Sequence, residues 1–260
     1  MRNRAWVFAV LPLLFCAAGL GAESKSGARV VFMIGEDEYK TWETLPEFAR
    51  TDLEPKGFRV TIVQADALDK NNFPGLVKAL KEADLLFISL RRRTPPADQL
   101  QAVRAHLQSG KPLIGIRTAC HAFALQPKDK AKLVLNPKLA EWAEFDPEVL
   151  GGHYTGHYAA GPKSTITVAA GAAEHPILKG VEVRQLLGNG ALYKVSPLAD
   201  SARPLLIGTI TGEAPEPVAW TRLYGAKQAR IFYTSLGHPD DFRNPQFRRL
   251  LVNGVQWALE

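Results

Sequence analysis

Ala28-Arg29-Val30-Val31-Phe32-Met33-Ile34-Gly35 is the stretch on which the fold turns, a short apolar run stopped by a glycine. Behind it, Trp42 to Lys56 carries Leu45, Phe48, Ala49 and Leu53 at helical spacing, so the pair predicts a strand leading into a helix. Working outward, the cycle repeats. Phe58 to Val63 predicts a strand, Phe73 to Glu82 a helix, Ala83 to Leu90 a strand, Ala97 to Gln108 a helix stopped by Gly110, and Pro112 to Ile116 a fourth strand. Strands buried on both faces need continuous apolar runs, and their alternation with helices implies parallel pairing through right-handed crossovers. The N-terminal half therefore predicts an α/β, doubly wound, mostly parallel sheet with helices on both faces.

Past Cys120 the texture changes. Residues 123 to 163 have scattered prolines and glycines and no sustained period, which predicts a long functional loop with one or two short helices. Strand-like runs resume at Ser164 to Ala169, Leu205 to Ile210, Pro217 to Thr221 and Ala229 to Leu236. The final segment, Pro245 to Leu259, sets Phe247, Leu250, Leu251, Val255 and Ala258 on one side and predicts an amphipathic helix, with Gly254 an unusual interior glycine. One α/β domain over residues 27–260 is expected.

The first 22 residues stand apart. Met1-Arg2-Asn3-Arg4 is a basic start, Ala5 to Leu20 an apolar run broken by Pro12, and Gly21-Ala22 a small pair, the pattern of a secretory signal peptide cleaved after Ala22. A permanent membrane anchor fits less well, because the run is short and no stop-transfer pattern follows. Lipoprotein processing at Cys16 is weaker still, given the bulky Phe15 before it. The expectation is a secreted or periplasmic protein. Cleavage removes Arg2 and Arg4 and no acid, so the formal charge falls from +6 to +4. It also leaves Cys120 without a partner for an internal disulfide.

With 46% hydrophobic and 22% charged residues, the chain is neither disordered nor coiled-coil. The one dense basic cluster, Arg91-Arg92-Arg93, lacks the accompanying stripe of bases and aromatics that nucleic-acid binding needs. No Gly-x-Gly-x-x-Gly follows the first strand, so NAD is not expected.

Ligands of open α/β sheets bind at the carboxyl ends of the strands, and four features fall there. Gly35-Glu36-Asp37-Glu38-Tyr39 offers acids that could hold substrate or metal, or simply favour a helix start. Gly115-Ile116-Arg117-Thr118-Ala119-Cys120-His121 leaves the fourth strand. Its Cys120 reads either as a buried small hydrophobe or as a thiolate activated by a helix start and an imidazole. Its Arg117 could grip a carboxylate bidentately or tie loops together. Gly152-His153-Tyr154-Thr155-Gly156-His157 offers two imidazoles, as metal ligands or hydrogen-bonding groups. Gly237-His238-Pro239-Asp240 places an imidazole two residues before an acid that could orient it for general-base work. His175 reads as structural, and mid-helix His106 is assigned no function.

Gly115 through Phe123, Gly151-Gly152-His153-Tyr154-Thr155-Gly156-His157, His175-Pro176-Ile177 with Gly180, and Pro217-Val218-Ala219-Trp220-Thr221 through Phe232-Tyr233-Thr234-Ser235-Leu236-Gly237-His238 occur in that order. In this combination the chain resembles the ThuA-like, or trehalose-utilisation, family over Ala28 to Leu259. The resemblance implies a flavodoxin-like fold similar to class I glutamine amidotransferases, and a role in disaccharide or glycoside catabolism that includes 3-keto sugars. It does not imply glutaminase activity. That reaction needs a cysteine at the turn directly after the strand, where this chain has Arg117, and Cys120 comes three residues late. Many members look to have an acidic pair where this chain has Gly190-Ala191 before Leu192-Tyr193.

The resulting expectation is a carbohydrate-active protein with a small-molecule sugar as partner. His121, His157 and His238 converge on it through a divalent metal such as zinc, and His238, oriented by Asp240, moves a proton in hydrolysis, elimination or isomerisation. Tyr39, Trp42, Tyr154 and Tyr158 are candidates to stack on sugar faces, with Arg117 and Cys120 beside them. Two alternatives accompany it: a non-catalytic sugar-binding or regulatory module, and a thiol hydrolase built on Cys120, His238 and Asp240.

Overall fold

The computed structural model describes residues 27–131 and 136–260. The stretch read as a signal peptide, residues 1–22 with Cys16, lies outside the described residues. Strands β1 (Arg29–Gly35), β2 (Arg59–Gln64), β3 (Leu85–Leu90) and β4 (Leu113–Ile116) alternate with helices α1 (Thr41–Phe48), α2 (Leu76–Glu82) and α3 (Ala97–Gln108). Then come β5 (Gly156–His157), β6 (Ser164–Val168), β7 (Leu187–Gly188), β8 (Tyr193–Lys194), β9 (Arg203–Thr209), β10 (Glu216–Tyr224) and β11 (Ala229–Thr234), and finally α4 (Pro239–Phe242) and α5 (Pro245–Leu259).

Nine strands form one sheet in the order β2-β1-β3-β4-β11-β10-β9-β6-β7. From β2 to β11 the pairing is parallel, with Phe32 opposite both Ile62 and Phe87, and Phe232 opposite Ile114. From β11 through β10, β9 and β6 to β7 it is antiparallel. The expected parallel half is thus joined to a second half of opposite character, and the sheet as a whole is mixed. Alternation along each strand supplies the two faces. Val30, Phe32 and Ile34 join the core under α1 and α5, while Val31 and Met33 join the core under α2 and α3.

Two details follow from single residues. The segment expected as one helix from Trp42 to Lys56 becomes α1, a π turn at Ala49–Leu53 and a 3₁₀ turn at Glu54–Lys56. Pro46 has no N–H to give the Trp42 carbonyl four residues back, and the Gln64 side chain donates to that carbonyl instead, at 3.5 Å. Gly254 is required by packing: a Cβ there would lie 2.6 Å from the Phe232 ring, so the missing side chain lets α5 settle onto β11.

The region read as a long loop holds short turns at Pro127–Asp129 and Asp146–Leu150, then β5. Among the described residues β5 pairs with β8 alone, in a separate two-stranded ribbon that sets His157 opposite Tyr193. Among the described residues, no helix is long and apolar enough to cross a membrane.

Candidate functional site

β4 ends at Ile116, and the chain turns sharply at Arg117, whose φ of 48° is a left-handed conformation that costs a non-glycine residue on the order of 1 kcal/mol. The turn drives the Arg117 side chain inward. Its guanidinium is buried, donating through Nη1 to the Ser235 carbonyl at 2.7 Å and the Ala191 carbonyl at 3.0 Å, and through Nη2 to the Tyr39 hydroxyl at 3.2 Å. It stacks between two rings, 4.6 Å from the centre of Tyr39 and 4.1 Å from that of Tyr193. Burial works against the charge, but the neighbouring Tyr193 and Tyr39 outweigh it and Arg117 stays protonated. Among the described residues no carboxylate pairs with it. Arg117 thus ties the loops after β1, before β8 and after β11 into one edge.

Gly190 is the other half of this arrangement. Its hydrogen face lies flat on the guanidinium, and a Cβ would fall 2.3 Å from Nη2. Gly190-Ala191 therefore supplies space and a carbonyl acceptor to Arg117, where an acidic pair would supply charge.

Cys120 sits one turn beyond and is wholly buried. Its thiol donates to the Arg117 carbonyl at 3.6 Å, and its sulfur lies 3.4 Å from His121 Nδ1. Burial pushes the thiol up to about 12, so at neutral pH it is a thiol and not a thiolate. Among the described residues the thiol's hydrogen-bond partners are Arg117 and His121, with no hydrogen bond to His238.

Beyond Tyr193 opens a cavity of ≈ 180 Å³ lined by the rings of Tyr39, Tyr154 and Tyr193, by His121 and His157, and by Glu38, Arg91, Arg92 and Gln126. His121 packs 4.4 Å from the Tyr154 ring, and Tyr154 stands edge-on to Tyr193 at 4.8 Å. Burial, and then the cations Arg92, Arg91 and Arg117, push His121 down to about 3, so its ring is neutral throughout the physiological range. His157 Nδ1 donates to the Tyr158 carbonyl at 2.7 Å. That bond fixes the proton on Nδ1 and leaves Nε2 with a free lone pair.

The first loop is organised by Glu36, which is buried. Its carboxylate accepts from the backbone N–H groups of Glu38 and Tyr39, both at 2.6 Å, and from the N–H and hydroxyl of Thr41, both at 2.7 Å. All its capacity is spent on the start of α1. Asp37 pairs with Arg93 and Lys70, and Glu38 with Arg91 at 2.9 Å. These acids build the wall and do not stand free inside it. The side chains expected at the site beyond this cavity lie elsewhere. Trp42 is exposed on α1 and does not line the cavity.

His238 is one ring removed, edge-on to Tyr39 at 6.1 Å between centres. Its Nδ1 accepts the Asp240 N–H at 3.2 Å, capping α4. The Asp240 carboxylate lies 3.6 Å from the same Nδ1, so the pairing expected from the sequence stands at ion-pair distance beside this cap. Asp240 pairs with Arg243 at 3.0 Å. The buried acid of this turn is Asp241, which accepts from the N–H groups of Gly237 and His238 and from the Asn189 side chain. Among the described residues, no three histidine, cysteine, aspartate or glutamate side chains are grouped to hold a metal ion. His121 and His157 share the cavity, and His238 does not line it.

Sequence reasoning passed over Tyr193, Arg92 and Asp146. Asp146 is buried, its pKa raised chiefly by desolvation, and it fixes the histidine loop by accepting from His153 Nδ1 at 2.9 Å and the Tyr154 N–H at 3.0 Å. A lone aromatic in a two-residue strand offers no period to detect. A third acid upstream of two histidines was the available signal for Asp146.

Fold and site together define a doubly wound α/β protein with a tyrosine- and histidine-lined cavity at the carboxyl edge of its sheet. The family model described as Trehalose utilisation, ThuA, matches residues 29–258. The chain belongs to that family. A ThuA-like protein from Parabacteroides merdae ATCC 43184 has a similar structure, with a TM-score of 0.65 at 17% identity over 90% of both chains. SMU.1228c is similar at a TM-score of 0.50 and 14% identity, over 89% of this chain and 100% of that one. The exo-beta-1,4-mannosidase Op5Man5 from Opitutaceae bacterium strain TAV5 aligns at a TM-score of 0.48 and 12% identity, over 90% of this chain and 36% of its own. No curated protein matches the chain.

Proposed function

We propose that this protein acts on a small carbohydrate held in the cavity between Tyr39, Tyr154 and Tyr193, and that its chemistry is proton transfer next to the carbonyl of an oxidised sugar. The observation that carries the reading is the pairing of three aromatic rings with two imidazoles in one ≈ 180 Å³ space. A pyranose offers C–H faces to aromatic rings and hydroxyls to polar groups, and pockets that mix an apolar lining with a few placed polar groups are built for such ligands. Membership in a family described as Trehalose utilisation supports the substrate class.

Within that space His157 is the base. Its Nδ1–H is committed to the Tyr158 carbonyl, so Nε2 can accept a proton from the carbon beside a keto group. His121, neutral above about pH 3, serves as an uncharged hydrogen-bonding partner for the sugar. Loss of a proton beside a 3-keto group opens the way to elimination of a glycosidic substituent or to isomerisation. Should a divalent metal take part, it would polarise the keto oxygen. The signal-peptide pattern of residues 1–22 supports a secreted or periplasmic setting for this activity.

Deuterium uptake tests the proposal. A 3-keto glucoside incubated with the protein in heavy water should exchange the hydrogen adjacent to the ketone. His157→Ala should slow that exchange by roughly 10²–10⁴-fold, the usual worth of a positioned base. Binding without exchange, unaltered in His157→Ala, would make the protein a non-catalytic sugar-binding module.

A further inference from the structure

We propose that the ligand of this cavity carries an anionic group, a carboxylate or a phosphate, and that Arg92 at the carboxyl end of β3 is its binding residue; this rests on the carbohydrate reading of the site. The three arginines after Leu90 are fixed in place. The N–H of Arg92 donates to the His121 carbonyl at 3.0 Å and that of Arg93 to the Ala122 carbonyl at 2.7 Å. Arg92 holds φ at 53°, a left-handed conformation that a long side chain adopts only when its surroundings impose it.

Their partners differ. Arg93 is spent on the Gly35 carbonyl and Asp37, and Arg91 lies against Glu38. Arg92 donates to the Ala124 carbonyl at 3.1 Å and, among the described residues, has no carboxylate within ion-pair reach. Its remaining N–H donors form the planar fork that matches a carboxylate or phosphate.

Position completes the argument. The inner cavity of ≈ 180 Å³ shares Arg91, Arg92 and Gln126 with an outer groove of ≈ 390 Å³, into which Lys128 brings a further cation. Asp129, itself engaged, is the acid lining that groove. A sugar ring against the tyrosines would therefore have Arg92 at its exit, and a charged substituent would lie in the outer groove. After burial, Arg92 and Arg91 are the groups that push His121 down most, in keeping with their place beside the cavity.

The test compares glucose, glucuronate, glucose 6-phosphate and inorganic phosphate by calorimetric titration at low salt, on wild type, Arg92→Gln and Arg92→Lys, with thermal melts of each apo protein to establish folding. At least one of the two charged sugars should bind tenfold or more tightly than glucose. That preference should shrink in 0.5 M salt, where the Debye length falls to about 4 Å. Arg92→Gln should erase it, so that the charged sugars bind no more tightly than glucose to that variant, and Arg92→Lys should retain part. Preference for glucuronate or for glucose 6-phosphate decides between carboxylate and phosphate. Equal binding of glucose and both charged sugars would overturn the anion proposal and leave the carbohydrate reading standing. Phosphate binding lost in Arg92→Gln, with no sugar bound, would uphold the anion site and overturn the carbohydrate reading. A preference for charged sugars unchanged in a folded Arg92→Gln protein, or no binding of any probe, would refute the role of Arg92.

Discussion

Gly190→Ala isolates one buried contact. The added Cβ would lie 2.3 Å from Arg117 Nη2, 2.6 Å from Cζ and 3.1 Å from Nε, all far inside van der Waals distance. The guanidinium has little room to yield, since the Tyr39 and Tyr193 rings flank it and two carbonyls hold Nη1. Gly190 needs no left-handed φ, so the backbone accepts alanine and gains about 0.4–1 kcal/mol from a stiffer unfolded chain. Displacing the guanidinium forfeits two charge-assisted hydrogen bonds of about 1.5–3 kcal/mol each, in part, because one can re-form after a shift. The net expectation is a loss of about 2 kcal/mol, or roughly 4–8 °C in Tm for a chain of this size. Urea unfolding followed by tryptophan fluorescence measures it, in wild type and in an Arg117→Met background. With methionine at 117 the clash partner is gone, and Gly190→Ala should become neutral or slightly stabilising. An equal cost in both backgrounds, or none in wild type, would refute the reasoning.

Four further outcomes are expected. Asp241→Ala strands the N–H groups of Gly237 and His238, so it should cost about 3 kcal/mol in the same assay; a change under 1 kcal/mol would show that water replaces the carboxylate. Glu36→Gln keeps only one acceptor oxygen for four donors, and should lower stability and weaken sugar binding together by loosening Tyr39. Cys120 should resist iodoacetamide at pH 8 in the folded protein and react once unfolded, as peptide mapping would report; rapid labelling of the native state contradicts its burial. Finally, His106 and His121 are held near 4 and 3, below the ordinary 6.5, mainly by burial. The unfolded chain takes up their protons first as pH falls, so their contribution is full above pH 6.5 and fades below it. Stability should drop by about 1.4 kcal/mol per pH unit for each histidine between pH 6 and 5, and His106→Gln should reduce the slope. A flat profile over that interval would contradict both neutral histidines.

The parallel half of the sheet was legible because β1, β3 and β4 are buried on both faces and so read as unbroken apolar runs. β7 and β8 were not, since two-residue strands have no period, and they exist only because β6 and β5 lie beside them. In the site, Tyr39, His121, Tyr154 and His157 share one cavity, as loops converging on a sheet edge permit. Sequence spacing pointed to Asp240 as the partner of His238, and its carboxylate lies 3.6 Å from Nδ1; the cap made by that residue's backbone and the burial of Asp241 depend on tertiary structure and had no sequence signal. Arg92 was hidden in a triplet that looks uniformly solvated, and only its tertiary surroundings separate it from Arg91 and Arg93.

The kink after β4 carries one more implication. A glycine would occupy the left-handed position at 117 without strain, so the arginine there is retained against a conformational penalty. In sheets of this architecture the same kink can present a reactive atom to a substrate. Here it serves as a mount for a fixed positive charge that fastens three loops. Redesigning this scaffold for covalent chemistry would therefore have to begin at residue 117, with a replacement brace for those loops, and not at the cysteine three positions downstream.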